Sequence, residues 1–145
     1  MQEARSGEHW MVRLSAGEEV HPALSEFAER HAIRAGVVEM GIGMFGRATI
    51  GYWNGQEYDA LELAEPHEVV ALHGSIASDE GRPSLHLHAG LANSAHALVG
   101  GHLIRATVSV LLELSVSEFK GLSFARPFDE SFGLRMLDLR PSGRS

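Results

Sequence analysis

The stretch Ser84-Leu85-His86-Leu87-His88-Ala89-Gly90 carries two histidines on alternate residues, and Gly100-Gly101-His102-Leu103 supplies a third. In an extended strand, side chains at i and i+2 leave the same face about 7 Å apart. The imidazoles of His86 and His88 can therefore converge on one metal ion, while Leu85, Leu87, Ala89 and Leu91 take the opposite, core-facing side. A hairpin that returns near residue 100 would bring His102 alongside the pair. Three neutral imidazoles with one position left open are the usual ligand set of a catalytic zinc and also suit other divalent ions. Such a centre can polarise a carbonyl or activate water. The same spacing also arises among unrelated polar residues on a half-exposed sheet, and the chain has 9 histidines. Spacing by itself leaves both readings open.

Other residues are candidates for supporting roles. His73, in Ala71-Leu72-His73-Gly74, sits mid-strand and could supply a fourth ligand or a proton. The commoner role for such a residue is a core histidine with one satisfied hydrogen bond. His96 lies in the segment between the two motifs, where it could cap a metal or simply be solvated. Glu113 and Glu39 are candidate general bases or partners that orient a ligand. Strict alternation, however, points Glu113 away from His102 unless a bulge intervenes. Arg82 and Arg105 could bind a substrate carboxylate, although surface arginines usually do not. No serine sits in a Gly-x-Ser-x-Gly elbow, so no Ser/His/Asp triad can be argued.

The elements that must position these residues are mostly strands. At 145 residues the chain has the length of one domain. A first strand is expected over Trp10–Leu14. A helix follows over Val20–His31, with Pro22 in its first turn and an apolar stripe of Val20, Leu24, Phe27 and Ala28. Strands are then expected over residues 35–40, 47–53, 57–63, 68–77, 86–91, 102–114 and 134–139. Asn54-Gly55 marks a hairpin. One helix among many strands joined by short turns predicts an α+β domain with a largely antiparallel sheet. Residues 141–145 read as a frayed tail.

Composition excludes several chemistries. With no cysteine, disulfides, thiolate metal sites and cysteine nucleophiles are absent. The net charge of -7, with histidines neutral, opposes non-specific attraction to nucleic acid or anionic lipid, and no Lys/Arg run marks a local basic patch. No apolar run approaches a membrane span, and the first residues lack a signal-peptide layout. A cytoplasmic protein without membrane partners is expected. Gly41-Ile42-Gly43-Met44-Phe45-Gly46 matches G-x-G-x-x-G literally, but a dinucleotide site needs a helix to open at the third glycine. Here the β-branched and aromatic run Thr49-Ile50-Gly51-Tyr52-Trp53 follows, so the glycines are expected to make a strand-to-strand turn. A cupin site is also disfavoured. No Glu follows His88 shortly in Ala89-Gly90-Leu91-Ala92-Asn93, and Leu98-Val99-Gly100-Gly101 lacks the proline of the second cupin motif.

Gly81-Arg82-Pro83-Ser84-Leu85-His86-Leu87-His88, followed by Gly100-Gly101-His102-Leu103, resembles the bacterial branch of the PPC domain family (DUF296), whose PD1-like members are labelled for DNA binding. Ser15-Ala16-Gly17-Glu18-Glu19-Val20 before the Ala23–Ala28 helix, Met40-Gly41-Ile42-Gly43, Glu113 and Phe132-Gly133-Leu134 support the match. The resemblance covers residues 9–139, leaving residues 1–8 as an N-terminal extension and 140–145 as a disordered tail. It departs at Asn93-Ser94-Ala95-His96-Ala97, where the family usually has an acidic residue and a glycine turn. The resemblance implies an α+β fold that assembles as a homotrimer. It also implies a divalent metal, zinc being the expected ion, at His86, His88 and His102. Acetolactate decarboxylase, in the same fold-level group, similarly holds zinc with three histidines. The DNA label belongs to plant relatives with separate AT-hook segments. Glu80-Gly81-Arg82-Pro83 has a glutamate where an AT-hook needs arginine, so no DNA-binding residues are assigned.

Two functions of different class follow. In the first, a trimeric domain holds a divalent metal and acts as a metal-dependent lyase or hydrolase on a small oxygenated molecule, or binds one. In the second, the domain is a DNA-associated or regulatory module with a structural metal. The acidic balance favours the first and the family label favours the second.

Overall fold

The computed structural model describes residues 1–141. Its elements in chain order are β1 (Gln2–Ser6), β2 (His9–Ser15), α1 (Val20–Arg30), β3 (Gly36–Trp53), β4 (Tyr58–Leu63), β5 (His67–Asp79), β6 (Arg82–Ala92), β7 (Leu98–Glu118), β8 (Leu122–Ala125), β9 (Phe128–Asp129), β10 (Leu134–Arg135) and β11 (Asp138–Pro141). Every pairing is antiparallel, and the main sheet runs β1-β2-β7-β6-β5-β3-β4. The domain is therefore α+β with a mostly antiparallel sheet and a single short helix.

Two long strands organise the sheet. β7 carries β3 along one edge, while its other edge pairs with β6 through residues 98–102 and with β2 through residues 111–117. β3 in turn pairs with β5 at one end and β4 at the other. Because β5 also pairs with β6, strands β3, β5, β6 and β7 close a ring. α1 packs against β6 and β7 and buries Val20, Leu24, Phe27 and Ala28, the stripe expected from its spacing, together with Ala23. Phe27 meets Trp10 of β2 edge-on, with ring centroids 5.3 Å apart. Leu14, Leu72, Leu87, Leu91, Leu103, Leu112 and Leu114 complete one continuous core.

Three expectations are corrected. The glycine segment 41–46 is not a turn but the middle of β3, which runs unbroken where two strands were expected. The β3–β7 register shifts four times, and Gly43 lies at one shift with φ +149°. A Cβ at Gly43 would stand 2.1 Å from the Leu111 carbonyl oxygen, so glycine lets the two backbones touch where the strand bulges. No helix follows, which removes the dinucleotide reading. Residues 2–6, expected outside the domain, form β1 and extend the sheet beside β2. The strand expected over Leu134–Leu139 is instead split into β10 and β11, which pair with β9 and β8 in two small sheets. β11 also takes in the first two residues of the expected tail, and residues 142–145 lie outside the described residues. The Asn54-Gly55 hairpin is present. Asn54 Oδ1 accepts the backbone N–H groups of Gln56 and Glu57 between β3 and β4. Among the described residues no helix is long and apolar enough to cross a membrane.

Candidate metal centre

Alternation along β6 puts Leu87, Ala89 and Leu91 into the core and turns His86 and His88 to the other face. The β6–β7 hairpin places His102 directly opposite His88. On its far side His102 pairs with Gly51 of β3, where a Cβ on the neighbouring Gly101 would come within 2.6 Å of the Gly51 carbonyl oxygen. The Gly100-Gly101-His102 motif is thus explained by packing: a side chain at 101 would push β3 off β7 beside the third histidine.

The three imidazoles form a near-equilateral group, with ring centroids 5.1, 5.1 and 5.5 Å apart. One ligand atom from each lies within 4.8 Å of the others, and the Nε2 atoms of His86 and His88 are 3.3 Å apart. Zinc–nitrogen distances of about 2.0–2.1 Å at tetrahedral angles separate ligand nitrogens by about 3.3–3.4 Å; the His86–His88 pair has that spacing, and the His102 donor lies within 4.8 Å of both. Tyr58 of β4 stacks on His102 at 4.7 Å and 20°, and Trp53 meets Tyr58 at 5.2 Å, forming an aromatic wall on one side.

The electrostatics also suit a metal, whose ligands must be unprotonated. Burial lowers the pKa of His102 to about 4, helped by the neighbouring His86, His88, His21 and Arg126. Burial lowers His86 as well, followed by the charges of Arg126 and His88. His88 is lowered by burial and by His73. His102 Nδ1 is buried without a hydrogen-bond partner.

The remaining candidates separate. His73 is the cross-strand neighbour of His88 on β5, and it is exposed rather than a core histidine. It lies beside the trio but outside the convergent group of ligand atoms. His96 is exposed in the Asn93–Ala97 turn with φ +60°. Glu113 pairs with Arg13 and Ile42 and lines a cleft against β1 and β2. Eleven strand residues from His102, it stands about 35 Å away along β7. Glu39 is held by the hydroxyls of Ser115 and Ser117, on that same distant stretch of β7. Arg82 is exposed at the β5–β6 turn. Arg105 is engaged by Glu62 at 2.7 Å. It lines a cavity of about 570 Å³ with His21, Arg47 and Thr107, and none of the three histidines lines that cavity.

One residue next to the site was not legible in the sequence. Arg126, between β8 and β9, is only 5% exposed, and its Nη2 donates to Ser75 Oγ at 2.6 Å. Ser75 is the cross-strand neighbour of His86. Nothing in Ala125-Arg126-Pro127 signals this, because the packing of β8 against β5 creates the proximity.

Comparison with known proteins gives the family and the fold. Residues 1–120 match the Plants and Prokaryotes Conserved (PCC) domain. A metal-containing protein from Archaeoglobus fulgidus is 32% identical, with a TM-score of 0.83 over 91% of this chain and 94% of that one. A "putative DNA binding protein" from Bacteroides thetaiotaomicron is 27% identical, with a TM-score of 0.89 over 94% of this chain and 96% of that one. The chain is also 34% identical over 92 residues to the bifunctional protein GlmU of a Synechococcus strain. The match takes in 63% of this chain but only 14% of that much longer protein.

Proposed function

The chain belongs to the Plants and Prokaryotes Conserved (PCC) domain family, and from that premise we propose that it is a divalent-metal protein acting on or binding a small oxygenated molecule. His86, His88 and His102 are the ligands and zinc is the expected ion. The observation that carries this reading is the 3.3 Å approach of the His86 and His88 Nε2 atoms, with the His102 donor alongside. A divalent ion held there by three neutral imidazoles supplies Lewis acidity at its open position. The chain's own residues hold the ligands neutral by burial, keep them aimed through the β6–β7 pairing, and wall one side with Tyr58. The metal-containing relative from Archaeoglobus fulgidus supports the same reading.

Metal analysis tests it. Purified protein supplied with zinc should hold close to one ion per chain, and His86→Ala with His88→Ala should lose it. Sub-stoichiometric metal in the wild type after zinc is supplied would sink the proposal. A second reading, a DNA-associated module with a structural metal, rests on the DNA-binding names of two structural neighbours. We rank it lower because the net charge is -7.

A further inference from the structure

Arg126 is a buried cation whose partners do not account for its charge. Its Nη2 donates to a neutral hydroxyl, that of Ser75, and its Nε is buried with no partner. Among the described residues it makes no ion pair. Asp79, at the end of the same β5 strand, is taken by Arg135, which also ties down the Arg126 carbonyl. A buried charge without a counter-charge is costly, and an arginine fork is built for a planar oxyanion.

The surroundings sharpen this. Among the described residues no carboxylate hydrogen-bonds or ion-pairs with His86, His88 or His102, and the guanidinium sits beside them through Ser75, the cross-strand neighbour of His86. A divalent ion on three neutral imidazoles would therefore place two positive charges beside the guanidinium's third. An anion seated between the two would relieve that repulsion.

We propose that Arg126 is the anion anchor of this site, so that the small oxygenated molecule it takes is a carboxylate, held between the three histidines and the guanidinium. The guanidinium neutralises and orients the carboxylate, and Ser75 fixes the guanidinium beside His86. This assignment rests on the metal reading above and adds the chemical class of the ligand.

Glycolate, with glycolamide as its neutral near-isostere, is a suitable probe pair for calorimetric titration of the zinc-loaded protein. The wild type should bind glycolate about tenfold or more tighter than glycolamide, as charge-assisted hydrogen bonds require. Arg126→Gln should cut that preference about fivefold or more while keeping the zinc content of the wild type, and Arg126→Lys should retain part of it. Equal binding of the two probes by the wild type, or an undiminished preference in Arg126→Gln, overturns the proposal. Zinc by itself favours a carboxylate over an amide, so the fall in preference from the wild type to Arg126→Gln carries the assignment, and the smaller fall in Arg126→Lys carries it if Arg126→Gln fails to fold. Failure of the metal reading shows separately, as a wild type that takes up no zinc, and overturns this proposal with it.

Discussion

At His102, burial and the neighbouring His86, His88, His21 and Arg126 lower the pKa to about 4, from an ordinary imidazole value of 6.5. Between those two values the unfolded chain binds a proton at this residue and the folded chain does not. Stability is therefore fully present above about pH 6.5 and is lost as pH falls toward 4. Metal-free protein should show this as a melting temperature that drops across that window. His102→Gln should flatten the slope by close to one proton, and an unchanged slope would contradict the assignment. The same shifts bear on metal affinity. Three ordinary imidazoles would lose about fiftyfold in zinc affinity between pH 7.5 and 6 through proton competition. With all three lowered, the loss should stay under about tenfold in a competition titration against a chelator. The histidine trio was legible in the sequence because strand parity is local: Leu87 and Ala89 go inward, so His86 and His88 must go outward. Arg126 was not, since its role arises only from the packing of distant segments.

The elements position the site through backbone contacts that tolerate little change. Leu87 is fully buried between the two histidines of β6. Leu87→Ala should cost about 2–5 kcal/mol in denaturant unfolding and loosen the metal pair together with the core. Gly101→Ala places a methyl group 2.6 Å from the Gly51 carbonyl oxygen. The β3–β7 contact must then open beside His102, so stability should fall by about 2 kcal/mol or more and zinc affinity should weaken with it. A variant with wild-type stability and affinity would show that the strands separate freely at this point. The single helix and the β6–β7 hairpin could be read directly, because an apolar stripe and a pair of turn-flanked runs are short-range signals. β3 could not. Its glycines mimic turn chemistry, and its four register shifts break the alternation by which a long strand is recognised. The pairing partner that makes Gly43 necessary lies nearly seventy residues further on, at Leu111 and Leu112.

Over the whole molecule, two further expectations concern what surrounds the site. The chain's net charge of -7 leaves little of the counterion release that drives non-specific DNA affinity. Duplex DNA should therefore bind more weakly than micromolar at physiological salt in a fluorescence anisotropy titration. Micromolar or tighter binding with a steep salt slope would promote the DNA-associated reading over the metal-dependent one. The other expectation is assembly. Large apolar side chains remain exposed on the strands around the histidines: Tyr52 on β3, Leu61 on β4, Val70 on β5, and Leu98 and Ile104 on β7. Leu98 is 68% exposed and Tyr52 74% exposed. β4 and β1 are open sheet edges, which a lone subunit must protect from pairing with other chains. A closed cyclic assembly covers such surface without leaving a free copy of it, and it sets subunit boundaries beside the metal ligands. The resemblance to the PPC family sets the expected number of subunits at three, so we expect a homotrimer, seen in light scattering coupled to size exclusion as about three times the chain mass of 15.7 kDa. Leu98→Glu should shift the population toward monomer if this face is the one buried. A wild type that stays monomeric across the micromolar range would refute the trimer and leave the three histidines open to solvent on the face of a single subunit.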